Sequence, residues 1–221
     1  MQRRTLLLAA GLLPLGSARA LGESDAASGV RAALERGAVA AIGTLGRTDG
    51  FLGNPAVRIE LPGYLKDAAK LLKATGQGRK LDELVTAMNR AAEAAMPEAR
   101  QLLVGAVKSM SVEDAVRIVR GGEDSVTQFF AGKTRAPLTQ KFLPIVTRAT
   151  EKQGLADKYN AVAGKAAGFG LLRQEDANIQ QYVTARALDG LYFMIGEEEK
   201  KIRQDPVGTG SAILKKVFGG L

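Results

Sequence analysis

The sequence predicts an all-α fold in which about nine or ten short helices form a single compact domain with one extended connection near residues 51–61. Three observations lead to this prediction. Apolar residues recur at the spacing of an amphipathic helix along most of the chain. Glycine and proline interrupt this spacing at short intervals. Strand-like alternation of apolar and charged residues is confined to one short segment, which cannot form a sheet alone.

The first 20 residues have the layout of a secretory signal peptide. Arg3 and Arg4 precede a short apolar run, and a small-x-small motif ends at Ala20. We therefore expect cleavage after Ala20, which leaves residues 21–221 as one helical domain in the periplasm. The arginine pair fits both the general and the twin-arginine export routes. The apolar run is too short to span a bilayer, no later transmembrane segment is expected, and no cysteine follows the run for lipid attachment.

The first elements of the mature chain follow from two kinds of spacing. Helical spacing of apolar residues from Val30 to Leu45 predicts the first helix. Val57, Ile59 and Leu61 then alternate with charged residues, which predicts the extended connection. We expect this connection to pack over the helices, since it has no second strand to pair with.

Proline and capping residues divide the rest of the chain. Pro97 and Pro137 are each expected to begin a new helix, because proline suits the first helical position. Ser111 with Asp114 resembles a capping box, in which aspartate replaces the usual longer residue. Gly121-Gly122 is expected to end that helix with a left-handed cap. The predicted helices cover residues 24–46, 62–75, 79–95, 97–109, 112–120, 123–132, 137–153, 155–166, 175–203 and 210–218.

The composition excludes several classes of function. The chain has no cysteine and no histidine, which removes the serine and cysteine triads and the usual zinc and haem ligands. No cofactor and no metal site are therefore expected. The formal charge of +8 falls to +5 when the three arginines of the signal peptide are lost. This charge permits peripheral contact with anionic lipid. Nucleic acid is not an expected partner, because the few aromatic residues are not interleaved with a basic run.

Two carboxylates in the last long helix are the candidate catalytic residues. Asp189 lies in the strongly apolar stretch 187–195, and Glu198 falls on the apolar stripe of Leu191, Ile195 and Ile202. Two carboxylates near a core could act as general acid and base, as in glycoside hydrolysis. The alternative is structural: Asp189 pairs with Arg186 or an arginine of another helix, and Glu198 pairs with Arg203 or Lys201. The charged run around Glu198 is expected to be a solvated helix end.

Two further pairs of residues are candidates for binding. Asn89 and Arg90 lie beside an apolar helix face near Glu93, where they form either a helix-to-helix polar clamp or a ligand anchor. Phe51 and Leu52 are apolar residues within a loop of turn-forming residues. They either plug the loop onto the core or form a tip that contacts a partner.

Several segments in order resemble the bacterial family known as domain of unknown function 4197. They are residues 49–55, 57–59, 88–93, 110–115, 142–146 and 187–191. The resemblance covers about residues 28–219 of this sequence. It implies an exported, mainly helical protein without an assigned activity, so no catalytic or binding residue is carried over from it. Some relatives look like lipoproteins, whereas the absence of cysteine here implies a free periplasmic member.

The sequence favours a non-catalytic periplasmic binding or interaction protein and leaves enzymatic activity open. Its ligand would be apolar or amphiphilic, or its partner would be another envelope protein. One alternative is a carboxylate-dependent hydrolase acting on envelope polymers through Asp189 and Glu198. A second alternative is a structural envelope protein that docks through loop 49–56. A large apolar cavity would favour ligand binding, whereas a solid core would favour protein interaction.

Overall fold

The computed structural model describes residues 16–63, 78–151, 157, 159 and 178–205. Within this part the chain forms helices and no strand, so the predicted all-α class is confirmed. Five helices are present here, four of them long, and the predicted number of nine or ten short helices is not supported. They are α1 (Gly16–Leu45), α2 (Gly78–Lys108), α3 (Val112–Arg120), α4 (Ser125–Glu151) and α5 (Ile179–Gln204).

Some sequence predictions fall beyond the described residues. The predicted helix 210–218 lies wholly outside them, and nearly all of 62–75 and 155–166 does too. Among the helices that are described, none is both long and apolar enough to cross a membrane.

Prolines do not divide the helices as the sequence predicted. Pro97 lies inside α2, which joins two predicted helices, and Pro137 and Pro144 lie inside α4. A proline removes one backbone donor, but its fixed φ is compatible with a helix. The residues beyond Pro97, such as Leu103, are fully buried. Continuous packing on both sides of each proline therefore outweighs the local signal.

Helix α3 shows one correct and one wrong prediction. The capping box is confirmed: the Asp114 amide donates to the Ser111 hydroxyl at 3.0 Å, and the Ser111 amide donates to the Asp114 carboxylate at 3.3 Å. Gly121 has a φ of −78°, so the predicted left-handed cap is wrong. A Cβ at position 121 would lie 2.6 Å from the Ser125 Cβ and 2.8 Å from the Arg117 carbonyl oxygen. Glycine is needed there for close approach rather than for backbone conformation.

A continuous apolar core joins all five helices. Helices α2, α4 and α5 pack on one another, and α1 packs on α2, α3 and α5. The largest core side chains, Phe51, Phe130 and Phe142, are fully buried. Two of the cavities that described residues line are open grooves of about 420 and 150 Å³, and neither of these two is an enclosed apolar chamber.

The segment between α1 and α2 begins with residues 46–62, which we call the connecting loop. Val57, Ile59 and Leu61 are buried, whereas Arg58 and Glu60 are exposed. This alternation is typical of extended chain, and residues 58–62 form neither helix nor turn. Residues 51–57 are instead mostly turns, so the predicted extended connection is found only in its second half. No second strand of the described chain accompanies it, so its backbone polar groups need other partners.

Candidate functional site

Asn89 of α2 provides hydrogen-bond partners for the backbone at the centre of the connecting loop. Its side chain is fully buried. The amide oxygen accepts from the Ile59 amide at 2.8 Å, and the amide nitrogen donates to the Ile59 carbonyl at 2.9 Å. The same nitrogen also donates to the Val85 carbonyl at 2.8 Å. One side-chain amide thus replaces a neighbouring strand along this edge of the loop.

Glu93, one turn further along α2, holds the start of the loop. Its carboxylate accepts from the Phe51 amide at 3.1 Å and the Leu52 amide at 3.2 Å. Arg90 donates to the second oxygen of Glu93 at 2.7 Å and to Asp49 at 2.8 Å. The hydrogen bonds to Glu93 and then Asp49 raise the pKa of Arg90. The expected polar clamp therefore exists, but it joins a helix to a loop, and the predicted joining of two helices is wrong.

Phe51 and Leu52 pack the loop onto the core, as the first of the two expectations for them states. Phe51 is fully buried, and Leu52 is half-buried. Helix α5 makes room for the Phe51 ring at Gly190, because a Cβ there would lie 2.8 Å from Phe51 Cε1 and 3.3 Å from Val57 Cβ. The candidates Phe51, Leu52, Asn89 and Arg90 are thus brought together at one junction of loop and helix.

Asp189 directly precedes Gly190 on α5 and lies at the surface. It is exposed rather than buried, so the expectation of a carboxylate near the core is wrong. Arg135 of α4 donates to it at 3.0 Å, and Arg186 donates to it at 3.2 Å. The Arg135 guanidinium lies 4.9 Å from the centre of the Tyr192 ring, and that of Arg186 lies 5.2 Å from the centre of the Tyr182 ring. Asp189 therefore orders two arginines on two aromatic rings, which is the expected structural pairing.

Glu198 lies apart from Asp189. Its side chain is about one-fifth exposed, pairs with Lys201 at 2.6 Å and borders the smaller groove. The nine positions between the two carboxylates correspond to about 13 Å along the helix and to opposite faces of it. Paired catalytic carboxylates lie within about 10 Å of each other. The structure does not bring the two candidates together.

Glu199 is a buried carboxylate that the sequence reasoning missed. It accepts from the Val126 amide at 3.2 Å and from the Ser125 hydroxyl at 3.2 Å, at the first turn of α4. Arg203 donates to it at 2.8 Å and to the Ile118 carbonyl at 2.9 Å, at the last turn of α3. Burial raises the pKa of Glu199, although Arg203 opposes this change. The Glu199 carboxylate thus lies at the N-terminus of α4, and the Arg203 guanidinium lies at the C-terminus of α3. Each charge matches the dipole of that helix end.

A sequence signal for Glu199 was present. It lies four residues after Ile195 and three before Ile202, which are both buried. That spacing places it on the apolar face of α5. The expectation of a solvated charged run is therefore wrong at this position.

The larger groove lies between the connecting loop and α5, and we call it the loop–α5 groove. Its volume is about 420 Å³. Phe193 on its border is 45 % exposed, more than any other large apolar side chain of the described chain. The groove is lined by residues that include Val57, Arg58, Ile59, Glu60, Arg186 and Phe193. Aromatic, charged and backbone groups therefore meet in one open depression.

No group of three or more potential metal ligands is assembled within the ranges that the structure describes. No curated protein and no solved structure matches the chain. The sequence profile of the family described as "Protein of unknown function (DUF4197)" matches residues 20–219, which is nearly the whole length. The chain therefore belongs to the DUF4197 family of proteins of unknown function.

Proposed function

We propose that the protein is a non-catalytic binding module of the periplasm and that it holds a partner protein in the loop–α5 groove. The observation that carries the proposal is the combination of exposed Phe193 with the ordered Arg186 in the lining of the groove, next to Arg135, which pairs with Asp189 beside it. Aromatic and arginine side chains most often dominate the binding energy of protein interfaces. The periplasmic location rests on the signal peptide predicted from the first 20 residues.

The shape of the groove favours a protein partner over a small apolar ligand. Small ligands are usually held in concave pockets that bury most of their surface. The loop–α5 groove is open, and the fully buried Phe51 ring packs against Gly190 of its lining. An open depression with an aromatic rim suits a segment of another chain.

The charges at the groove favour an acidic partner. Arg58 and Arg186 line the groove together with Glu60 and Asp189. Arg135 of α4 lies beside the lining and pairs with Asp189 at 3.0 Å, so this cluster of five carries one more positive than negative charge. All five side chains are between 40 and 49 % exposed, so an approaching partner can reach them. An excess of one positive charge steers acidic segments toward the groove, and salt weakens the effect.

The two alternatives receive less support. A two-carboxylate hydrolase needs its acid and base together, whereas Asp189 and Glu198 lie on opposite faces of α5. Docking through the tip of loop 49–56 needs an exposed tip, whereas Phe51 is buried in the core. The loop contributes its following extended segment to the groove instead.

Site-specific photo-cross-linking in intact bacteria tests the proposal. A photoreactive residue at position 193 is expected to capture one or a few discrete periplasmic proteins. The matched control places the same residue at position 100, where exposed Arg100 lies on α2 and outside the groove. Equal capture at both positions, or capture of lipid alone, would contradict the proposal. Mass analysis of the mature N-terminus tests cleavage after Ala20.

Binding by purified proteins completes the test. The captured partner is expected to bind the wild-type chain and to lose about tenfold or more in affinity to Phe193→Ala, as an interface anchor would. Phe193 is largely exposed, so the same variant is expected to unfold at the wild-type temperature. Unchanged affinity would show that the captured protein binds elsewhere.

A further inference from the structure

We infer that the loop–α5 groove takes an extended, acidic peptide segment of its partner, which adds as a strand along residues 58–61. This inference rests on the proposed function and specifies the conformation and chemistry of the bound segment. Extended peptides often bind by adding to an exposed strand edge, where main-chain hydrogen bonds supply affinity and side chains supply specificity.

The extended segment has two edges with different surroundings. In an extended chain, the N–H and C=O of one residue point to one edge, and those of its neighbours point to the other. The Ile59 groups point toward α2, where Asn89 binds both of them. The Arg58 and Glu60 groups therefore point to the opposite edge. The Tyr182 hydroxyl of α5 donates to the Glu60 carbonyl at 2.7 Å, which shows that this edge faces α5.

The edge that faces α5 has two backbone groups available for a ligand. The Arg58 amide already donates to the Asn54 carbonyl at 2.9 Å. The Arg58 carbonyl and the Glu60 amide have no hydrogen-bond partner in the part of the chain that the structure describes. They flank Ile59, and one residue of an added strand can bind a carbonyl and an amide placed in this way. Both residues line the groove.

Two side chains of α5 provide selectivity for the side chains of the ligand. Phe193 and Arg186 lie seven positions apart on α5, which places them on one face and about 10 Å from each other. Phe193 offers an exposed aromatic surface for an apolar residue of the ligand. Arg186 is held by Asp189 and by the Tyr182 ring, so its guanidinium is ordered before a ligand arrives. An acidic residue in the same segment matches the excess positive charge of the groove.

Amide hydrogen exchange supplies the decisive readout. Heptapeptides are selected from a random library displayed on phage against the full chain, and the best binder is synthesised. Its binding is expected to slow exchange at the Glu60 amide by about tenfold or more, because that amide gains a hydrogen bond. The Ile59 amide is the internal control, since Asn89 already protects it. Unchanged exchange at Glu60 with a bound peptide overturns the inference.

A backbone scan of the peptide separates failure of this inference from failure of the proposed function. Methylation of the peptide amides one at a time is expected to weaken binding by about tenfold at alternate positions only. Losses without a two-residue period, in a peptide that still requires Phe193, overturn the extended mode and leave the groove as a site. Selected peptides that bind Phe193→Ala and wild type equally overturn the groove itself. Selection of basic rather than acidic peptides overturns the stated ligand chemistry.

Discussion

Replacement of Asn89 by alanine tests the central role given to one side chain. The change removes three hydrogen bonds and leaves the Ile59 amide and carbonyl without partners in a buried site. Each buried polar group that loses its partner costs about 1 to 3 kcal/mol. We therefore expect Asn89→Ala to lower the free energy of unfolding by about 2 to 6 kcal/mol, a large part of the stability of an ordinary domain.

Urea denaturation, followed by circular dichroism, measures this effect. The matched control is Thr86→Ala, because Thr86 lies on the same helix and is exposed. Its change in unfolding free energy is expected to stay within about 0.5 kcal/mol. Amide exchange adds a local readout: the Ile59 amide is expected to exchange faster in Asn89→Ala under native conditions. A loss below about 1 kcal/mol, with the Ile59 amide still protected, would refute the reasoning.

Substitutions of Glu199, Gly190 and Gly43 provide three further tests. Burial raises the pKa of Glu199 above its ordinary value of 4.5. Between the unfolded and folded pKa values, the folded chain therefore binds more protons than the unfolded chain. The stability that this group contributes is lost as pH rises through the folded pKa. Urea titrations at several pH values are expected to show that, over this pH range, the unfolding free energy of wild type falls relative to that of Glu199→Gln. A relative rise would mean that pairing with Arg203 dominates over burial. Gly190→Ala is expected to lower stability by about 1 to 3 kcal/mol, because its Cβ would lie 2.8 Å from the Phe51 ring. Gly43→Ala is expected to raise stability by about 0.5 to 1 kcal/mol, because a Cβ at position 43 of α1 meets nothing within 4 Å. Thermal melts in which Gly43→Ala is less stable than Gly190→Ala would refute the packing described at Gly190.

Sequence reasoning succeeded where the deciding contacts are local. The capping box depends on Ser111 and Asp114, which are three residues apart, and the structure contains both of its hydrogen bonds. The alternation of burial from Val57 to Leu61 likewise depends on neighbouring residues, and it is present in the structure, although the chain before residue 58 forms turns. Such features can be identified from a short window of sequence.

Sequence reasoning failed where the deciding contacts are distant. Pro97 continues a helix because core packing extends on both sides of it. Asn89 and Glu93 were recognised as polar residues beside an apolar face, yet their partners lie about 30 and 40 positions away in the connecting loop. Glu199 is stabilised by α4, which lies 73 positions earlier. No pattern within one helix specifies which distant backbone groups require a partner.

The sequence alone determined the all-α class, because helical spacing of apolar residues is a property of each segment. It also determined which chemistries are excluded, because a chain without histidine and cysteine cannot form the common nucleophilic and zinc sites. Only the tertiary structure decided which carboxylate is buried and which is exposed. It placed Glu199 in the core and Asp189 at the rim of the groove, because burial of a charge requires donors that other helices supply.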